Sequence, residues 1–170
     1  MRHRKELSIN GGFMKKVDLG IEESDIKELT VGLSRVLAET YTLYLQTQNF
    51  HWNVTGPLFA ALHPMFGEQY AELATSIDVI AERIRTLGQP APATFLDFQE
   101  LSSIKETREQ LNATKMIECL SENHEKLIKL LRTISKHADS INDEGTLDLV
   151  VSRIATHEKT AWMLRSSLTH

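Results

Sequence analysis

The sequence predicts an all-α fold, a four-helix bundle with one long crossover, and three observations carry that prediction. Four stretches of the 170 residues repeat apolar side chains every three to four positions, the period of one helix face. No stretch shows the alternation of a half-buried strand. Short breaks divide the stretches into pairs, and a long connection over 93–112 joins the pairs, which suits two helical hairpins packed together.

The first helix is expected to begin near Ser24, where Glu22, Glu23 and Asp25 face the positive end of the helix dipole. Its stripe is Ile26, Leu29, Leu33, Val36, Leu37, Tyr41 and Tyr44, and it runs to about Trp52 before Gly56 and Pro57 break it. The second starts near Leu58 and carries Leu62, Phe66, Tyr70, Leu73, Ile77, Ile80, Ala81, Ile84 and Leu87. Gly88 ends it, with Pro90 and Pro92 beyond. A short helix is expected near Phe95–Leu101 within the crossover. The third helix has the most regular stripe, Ile117, Leu120, His124, Leu127, Leu131, Ile134 and Ala138. Asp139 to Gly145 reads as a turn. The fourth helix carries Leu147, Val150, Val151, Ile154, Ala161, Leu164 and Leu168.

The bundle is expected to span residues 21–170, long enough to bury a core unaided. Residues 1–20 hold Gly11, Gly12 and Gly20, show no sustained period, and read as a flexible basic arm. Translation could start at Met1 or at Met14. In residues 1–16, Arg2, Arg4, Lys5, Lys15 and Lys16 stand against Glu6, a net of +4; the whole chain is at −4, which leaves −8 for the rest. An acidic body repels nucleic acid, and a basic tail attracts it. No apolar run is long enough to span a bilayer, and no apolar leader opens the chain. The single cysteine, Cys119, cannot form an internal disulfide, so the expected location is the cytoplasm, nucleoid-associated if the arm binds DNA.

The chemistry points to the run from His51 to Glu82. Imidazole and carboxylate from His51, His63, Asp78 and Glu82 make a donor set for a redox-active divalent metal such as iron. His63 and Asp78 are fifteen residues apart on one helix, about 22 Å, and cannot share a metal within one chain. Asp78 and Glu82 are an i, i+4 pair on the flank of the apolar face. His51 and His63 flank the turn between antiparallel helices and can approach each other. One chain thus offers two half-sites, which a two-fold axis between antiparallel copies would unite. Without such a partner, the histidines read as structural and the acids, with Arg83 and Arg85, as a solvated face. Bundles that hold two irons between their helices use Glu-x-x-His on inward-facing helices; no histidine here has a glutamate three residues before it. The stripes of the first and third helices read as free of carboxylates, with Glu158 at most at the margin of the fourth. His124 and His157 read as packed helix residues, Tyr41, Tyr44 and Tyr70 as core, Trp162 as packing, and Cys119 as a small buried residue. Trp52, beside His51, fills space or donates an electron.

The string HWNVTGPLF, then LH, FGEQYAEL and DVIAERIRTLG closely resembles the Dps mini-ferritins (the DNA-protection-during-starvation family), and the likeness extends from about Asp25 to Leu168. The resemblance implies a ferritin-like bundle, a homododecameric shell, and ferroxidase sites at two-fold interfaces, with His51 and His63 from one subunit and Asp78 and Glu82 from its neighbour. It implies Fe(II) and hydrogen peroxide, or oxygen, as substrates, with Fe(III) stored in the shell; zinc is a substitute ion. The family usually has an acid four residues after the second histidine. Here that position is Gly67, and Glu68 stands about 100° further round the helix. Asp143 and Asp148 match acids that line iron-entry pores in the family, though both also suit a helix N-terminus. The expected function is therefore an iron-oxidising, iron-storing enzyme that protects DNA from oxidative damage. Two alternatives stay open: a nucleoid-binding structural protein acting through Arg2, Arg4, Lys5, Lys15 and Lys16, and a metal-binding cage with little oxidase activity.

Overall fold

A computed structural model describes residues 17–168. Among the described residues there are five helices and no strand: α1 (Glu23–Asn53), α2 (Phe59–Thr86), α3 (Phe95–Leu101), α4 (Ala113–Ser140) and α5 (Glu144–Ser166). Residues 54–58 and 141–143 are short links, so α1 lies along α2 and α4 along α5; α1 also packs on α4 and α3. The basic residues Arg2, Arg4, Lys5, Lys15 and Lys16 lie outside the described residues. The last part of the predicted arm is in view, with the Val17 side chain against the backbone of Gly88.

Side chains set most of the helix starts. Asn112 accepts from the Lys115 amide at 2.9 Å, Thr94 from the Asp97 amide at 3.1 Å, and Asp143 from the Thr146 amide at 3.0 Å. α1 has no side-chain cap and relies on Glu23 and Asp25 in its first turn. Gly88 ends α2 at φ +84°, a conformation that costs glycine little. The core is one cluster: Leu29, Leu33, Leu37 and Leu43 from α1, Phe66, Leu73, Ile80 and Ile84 from α2, Ile117, Leu120, Leu127 and Leu131 from α4, and Val150 and Leu164 from α5. Each such side chain contributes about 1.5–3 kcal/mol relative to exposure.

Three sequence expectations need correction. The turn predicted over Asp139–Gly145 shrinks to 141–143, because α4 continues through Ser140 and α5 begins at Glu144. Gly145 is a helical residue whose missing side chain makes room for Arg83: a Cβ there would lie 3.0 Å from the guanidinium. The stripe of α1 does contain a carboxylate. Glu39 is buried, and its Oε1 accepts from the Ser103 amide at 2.8 Å, tying the crossover to α1. Trp162 does not pack within the subunit; it is 59% exposed.

Candidate metal centre

The link over 54–58 places the last turn of α1 beside the first turns of α2, and this brings His51 and His63 together. Their rings stack at 3.9 Å between centroids with 19° between planes. His51 Nδ1 donates to the His63 carbonyl at 2.6 Å, and His63 Nδ1 donates to the His51 carbonyl at 2.9 Å. A carbonyl can only accept, so each Nδ1 carries a proton, and in the neutral imidazole the lone pair then lies on Nε2. Neither Nε2 has a protein partner among the described residues. A neutral imidazole held at Nδ1 by a backbone carbonyl is the form in which histidine binds a metal. Phe59 stacks on the far face of His63 at 5.0 Å, and Tyr70 meets His51 edge-on at 5.2 Å.

Gly67 belongs to this arrangement. A Cβ at position 67 would come within 3.2 Å of His51 Cε1 and 3.4 Å of Nδ1, tighter than ordinary contact. The glycine lets the His51 ring come close to α2 while it stacks on His63. The residue that departs from the family pattern therefore has a steric role beside the His51 ring.

Asp78 and Glu82 are exposed on α2, one helical turn apart. α2 is unbroken from Phe59 to Thr86, so the acids sit about 22 Å along it from His63. Among the described residues no three histidines, cysteines or carboxylates gather in one chain as a metal would need. Glu68 is exposed and no contact brings it to the histidines. Asp148 is exposed near the start of α5, whereas Asp143 is buried. The Asp143 carboxylate caps α5, accepts from the Thr146 hydroxyl at 2.5 Å, and is paired with Arg83 Nη2 at 2.5 Å. Within one chain, helix capping and an ion pair account for the contacts of the Asp143 carboxylate.

A second histidine pair lies between α4 and α5, and sequence reasoning saw its members only singly. His124 Nδ1 and His157 Nδ1 are 2.9 Å apart, both buried. Arg153 donates to His157 Nε2 at 3.2 Å and is held by a bidentate ion pair with Glu72 of α2. Arginine only donates, so His157 is protonated at Nδ1 and donates to His124, whose proton sits on Nε2. That Nε2–H is buried and without a partner among the described residues. Burial pushes the His124 imidazole down to about 3, with Arg153 adding to it. Burial, His124 and Arg153 hold His157 well below the usual imidazole range. Spacing at i and i+33 across two helices gave no signal for this pair.

Two helical hairpins joined by a long crossover with its short helix make up the ferritin-like architecture. A family model described as the ferritin-like domain matches residues 31–170. The chain belongs to the Dps family of ferritin-like proteins. It is similar to the DNA protection during starvation protein 2 of Bacillus anthracis, 38% identical over 84% of this chain and 97% of that one. An uncharacterised low temperature-induced protein of Nostoc sp. is 36% identical over 90% of this chain and 87% of its own. The Dps crystal structure from Vibrio cholerae O1, described as a member of a broad superfamily of ferritin-like diiron-carboxylate proteins, superposes with a TM-score of 0.87 at 30% identity, covering 94% of this chain and all (100%) of that one. No helix among the described residues is long and apolar enough to cross a membrane.

Proposed function

We propose that this protein is a ferroxidase and iron store whose metal site is completed by a second copy of the chain. Fe(II), the substrate, binds to the free Nε2 atoms of His51 and His63 and to Asp78 and Glu82 of a neighbouring subunit. The observation that carries this reading is the reciprocal Nδ1 anchoring of His51 and His63, which fixes the ligand tautomer on both rings. Peroxide or oxygen accepts the electrons, and Fe(III) mineralises inside a dodecameric shell. Removing Fe(II) and peroxide together suppresses hydroxyl radical formation and protects DNA. Zinc can occupy the same nitrogen and oxygen donors without redox chemistry. Of the two acids expected at entry pores, the exposed Asp148 is the one available to guide cations.

Stopped-flow mixing of anaerobic Fe(II)-loaded protein with hydrogen peroxide tests this. Fe(III) should form faster than without protein, and Asp78→Ala or Glu82→Ala should remove the acceleration. Metal binding with no acceleration would mark an inert cage. The charge split, +4 in residues 1–16 against −8 elsewhere, favours DNA binding through the arm as a second activity. Its signature is a mobility shift that weakens steeply with salt.

A further inference from the structure

All three tyrosines of the chain lie in a single row of aromatic rings, and that row passes through the histidine pair. From Phe59 it runs through His63 and His51 to Tyr70 at 5.2 Å between centroids. It continues to Tyr44 at 6.1 Å and Tyr41 at 5.8 Å, and ends on Phe98 at 4.7 Å and Phe95 at 6.1 Å. The probability of electron transfer falls exponentially with the gap, so a series of ring-to-ring steps outruns one long jump.

Packing explains the rings but not their hydroxyls. Tyr44 accepts a hydrogen bond from Gln48 at 3.1 Å. The phenols of Tyr41 and Tyr70 take no protein partner among the described residues, and phenylalanine would fill the same half-buried space. What the phenol adds is a ring that gives up one electron together with a proton. Trp52 and Trp162, the other readily oxidised rings, stand outside the row and are 65% and 59% exposed.

Gly67 supplies the reason for such a donor. Breaking the O–O bond of peroxide to water and hydroxide takes two electrons, and one Fe(II) gives only one. The position that would bring a carboxylate to a second iron is filled by a glycine that makes room for His51. We propose that Tyr70, backed by Tyr44 and Tyr41, supplies the second electron when a single iron occupies the histidine end of the site. This rests on the ferroxidase reading above. In the step, Fe(II) and the Tyr70 phenol each lose one electron, and the phenol also loses its proton. The O–O bond breaks, and the products are Fe(III), one hydroxide, one water and a neutral phenoxyl radical. The radical passes to Tyr44 and Tyr41 until a later Fe(II) reduces it, taking up one proton and leaving Fe(III) and the restored phenol. Hydroxyl radical is thereby avoided even at low iron.

The test is freeze-quench electron paramagnetic resonance on the assembled protein carrying one Fe(II) per subunit, mixed with hydrogen peroxide, with a spin trap for hydroxyl radical in parallel. A tyrosyl signal is expected, with little trapped hydroxyl radical. Tyr70→Phe keeps the ring and its packing. It should lose most of the tyrosyl signal and raise trapped hydroxyl radical, while Fe(III) still forms and the shell keeps its size. Tyr44→Phe and Tyr41→Phe should shorten the radical's lifetime rather than prevent its formation. Protein-accelerated Fe(III) formation with no tyrosyl radical, a tryptophan radical instead, or a signal unchanged in Tyr70→Phe overturns the proposal and leaves the ferroxidase reading intact. Fe(III) formation no faster than without protein overturns both.

Discussion

At one end of the α1–α2 hairpin, His51 and His63 turn their Nδ1 atoms onto each other's backbone carbonyls; between α4 and α5, His124 and His157 turn theirs onto each other. The first arrangement consumes one nitrogen per ring on acceptors and leaves two lone pairs for a cation. The second uses those nitrogens internally, places a guanidinium on one remaining lone pair, and leaves a buried N–H. A cation would have to displace Arg153 and enter a dry core to use the second pair, at a desolvation cost of several kcal/mol. Two close histidines are therefore not a site by themselves; what each Nδ1 touches, and whether Nε2 can be reached, decides the chemistry.

The widest separation between the pairs should appear in activity. Asp78→Ala or Glu82→Ala should slow iron oxidation by about a hundredfold or more, beyond the cost of losing a partner behind a ligand. His63→Ala should slow it less, since His51 still supplies a nitrogen. His157→Leu should leave the rate per folded shell unchanged but cost about 3 kcal/mol of stability, because a buried donor on Arg153 and the buried acceptor Nδ1 of His124 lose their partner. Stopped-flow rates beside chemical denaturation would check both halves, and oxidation abolished in a folded His157→Leu shell would break the comparison.

The buried pair should also govern the acid limb of stability. In the unfolded chain both imidazoles take a proton below about pH 6.5. In the fold they stay neutral, His124 down to about 3. The unfolded state then binds more protons, so stability is full above pH 6.5 and falls as pH drops toward 3. The slope is up to about 1.4 kcal/mol per pH unit for each imidazole. Denaturation across that range measures it, and a flat profile would mean the pair is solvated.

A finer contrast lies at Gly67. Anaerobic calorimetry should find one tight and one weak Fe(II) per site in the native protein. Gly67→Ala should press its Cβ on the His51 ring and weaken the first iron; Gly67→Asp carries the same Cβ and should weaken the first iron likewise, while its carboxylate tightens the second. Two equally tight irons in the native protein would show that Glu68 or another group replaces the missing acid. The smallest effect should follow removal of residues 1–13: no change in assembly or oxidation, with any DNA affinity reduced. Undiminished DNA affinity would assign that binding elsewhere.

The helices were legible because a 3–4 residue apolar period needs no tertiary information, and even α3 stood out at Phe95–Leu101. The histidine approach was legible from the short link, and the fifteen-residue gap between His63 and Asp78 from helix rise alone. What the sequence hid depends on partners far along the chain. Glu39 sits three residues after Val36 and four before Leu43, spacing that places it in the stripe, but nothing local reveals that it holds the crossover. Asp143 reads equally well as a cap or as a pore acid until Arg83, sixty residues earlier, is seen closing on it. Gly145 reads as a turn signal and Gly67 as a missing ligand; in space each makes room for a side chain from another helix.

The most direct test of a site shared between subunits is complementation. One variant carries His51→Ala and His63→Ala, the other Asp78→Ala and Glu82→Ala, and the two are co-expressed so that shells contain both chains. Each alone should be inactive. In a mixed two-fold pair the acids of the first chain meet the histidines of the second, giving one intact site of two. Random mixing should therefore restore about a quarter of native ferroxidase activity. Mixed shells as inactive as the parent variants would show that no site is shared across the interface and would contradict this account.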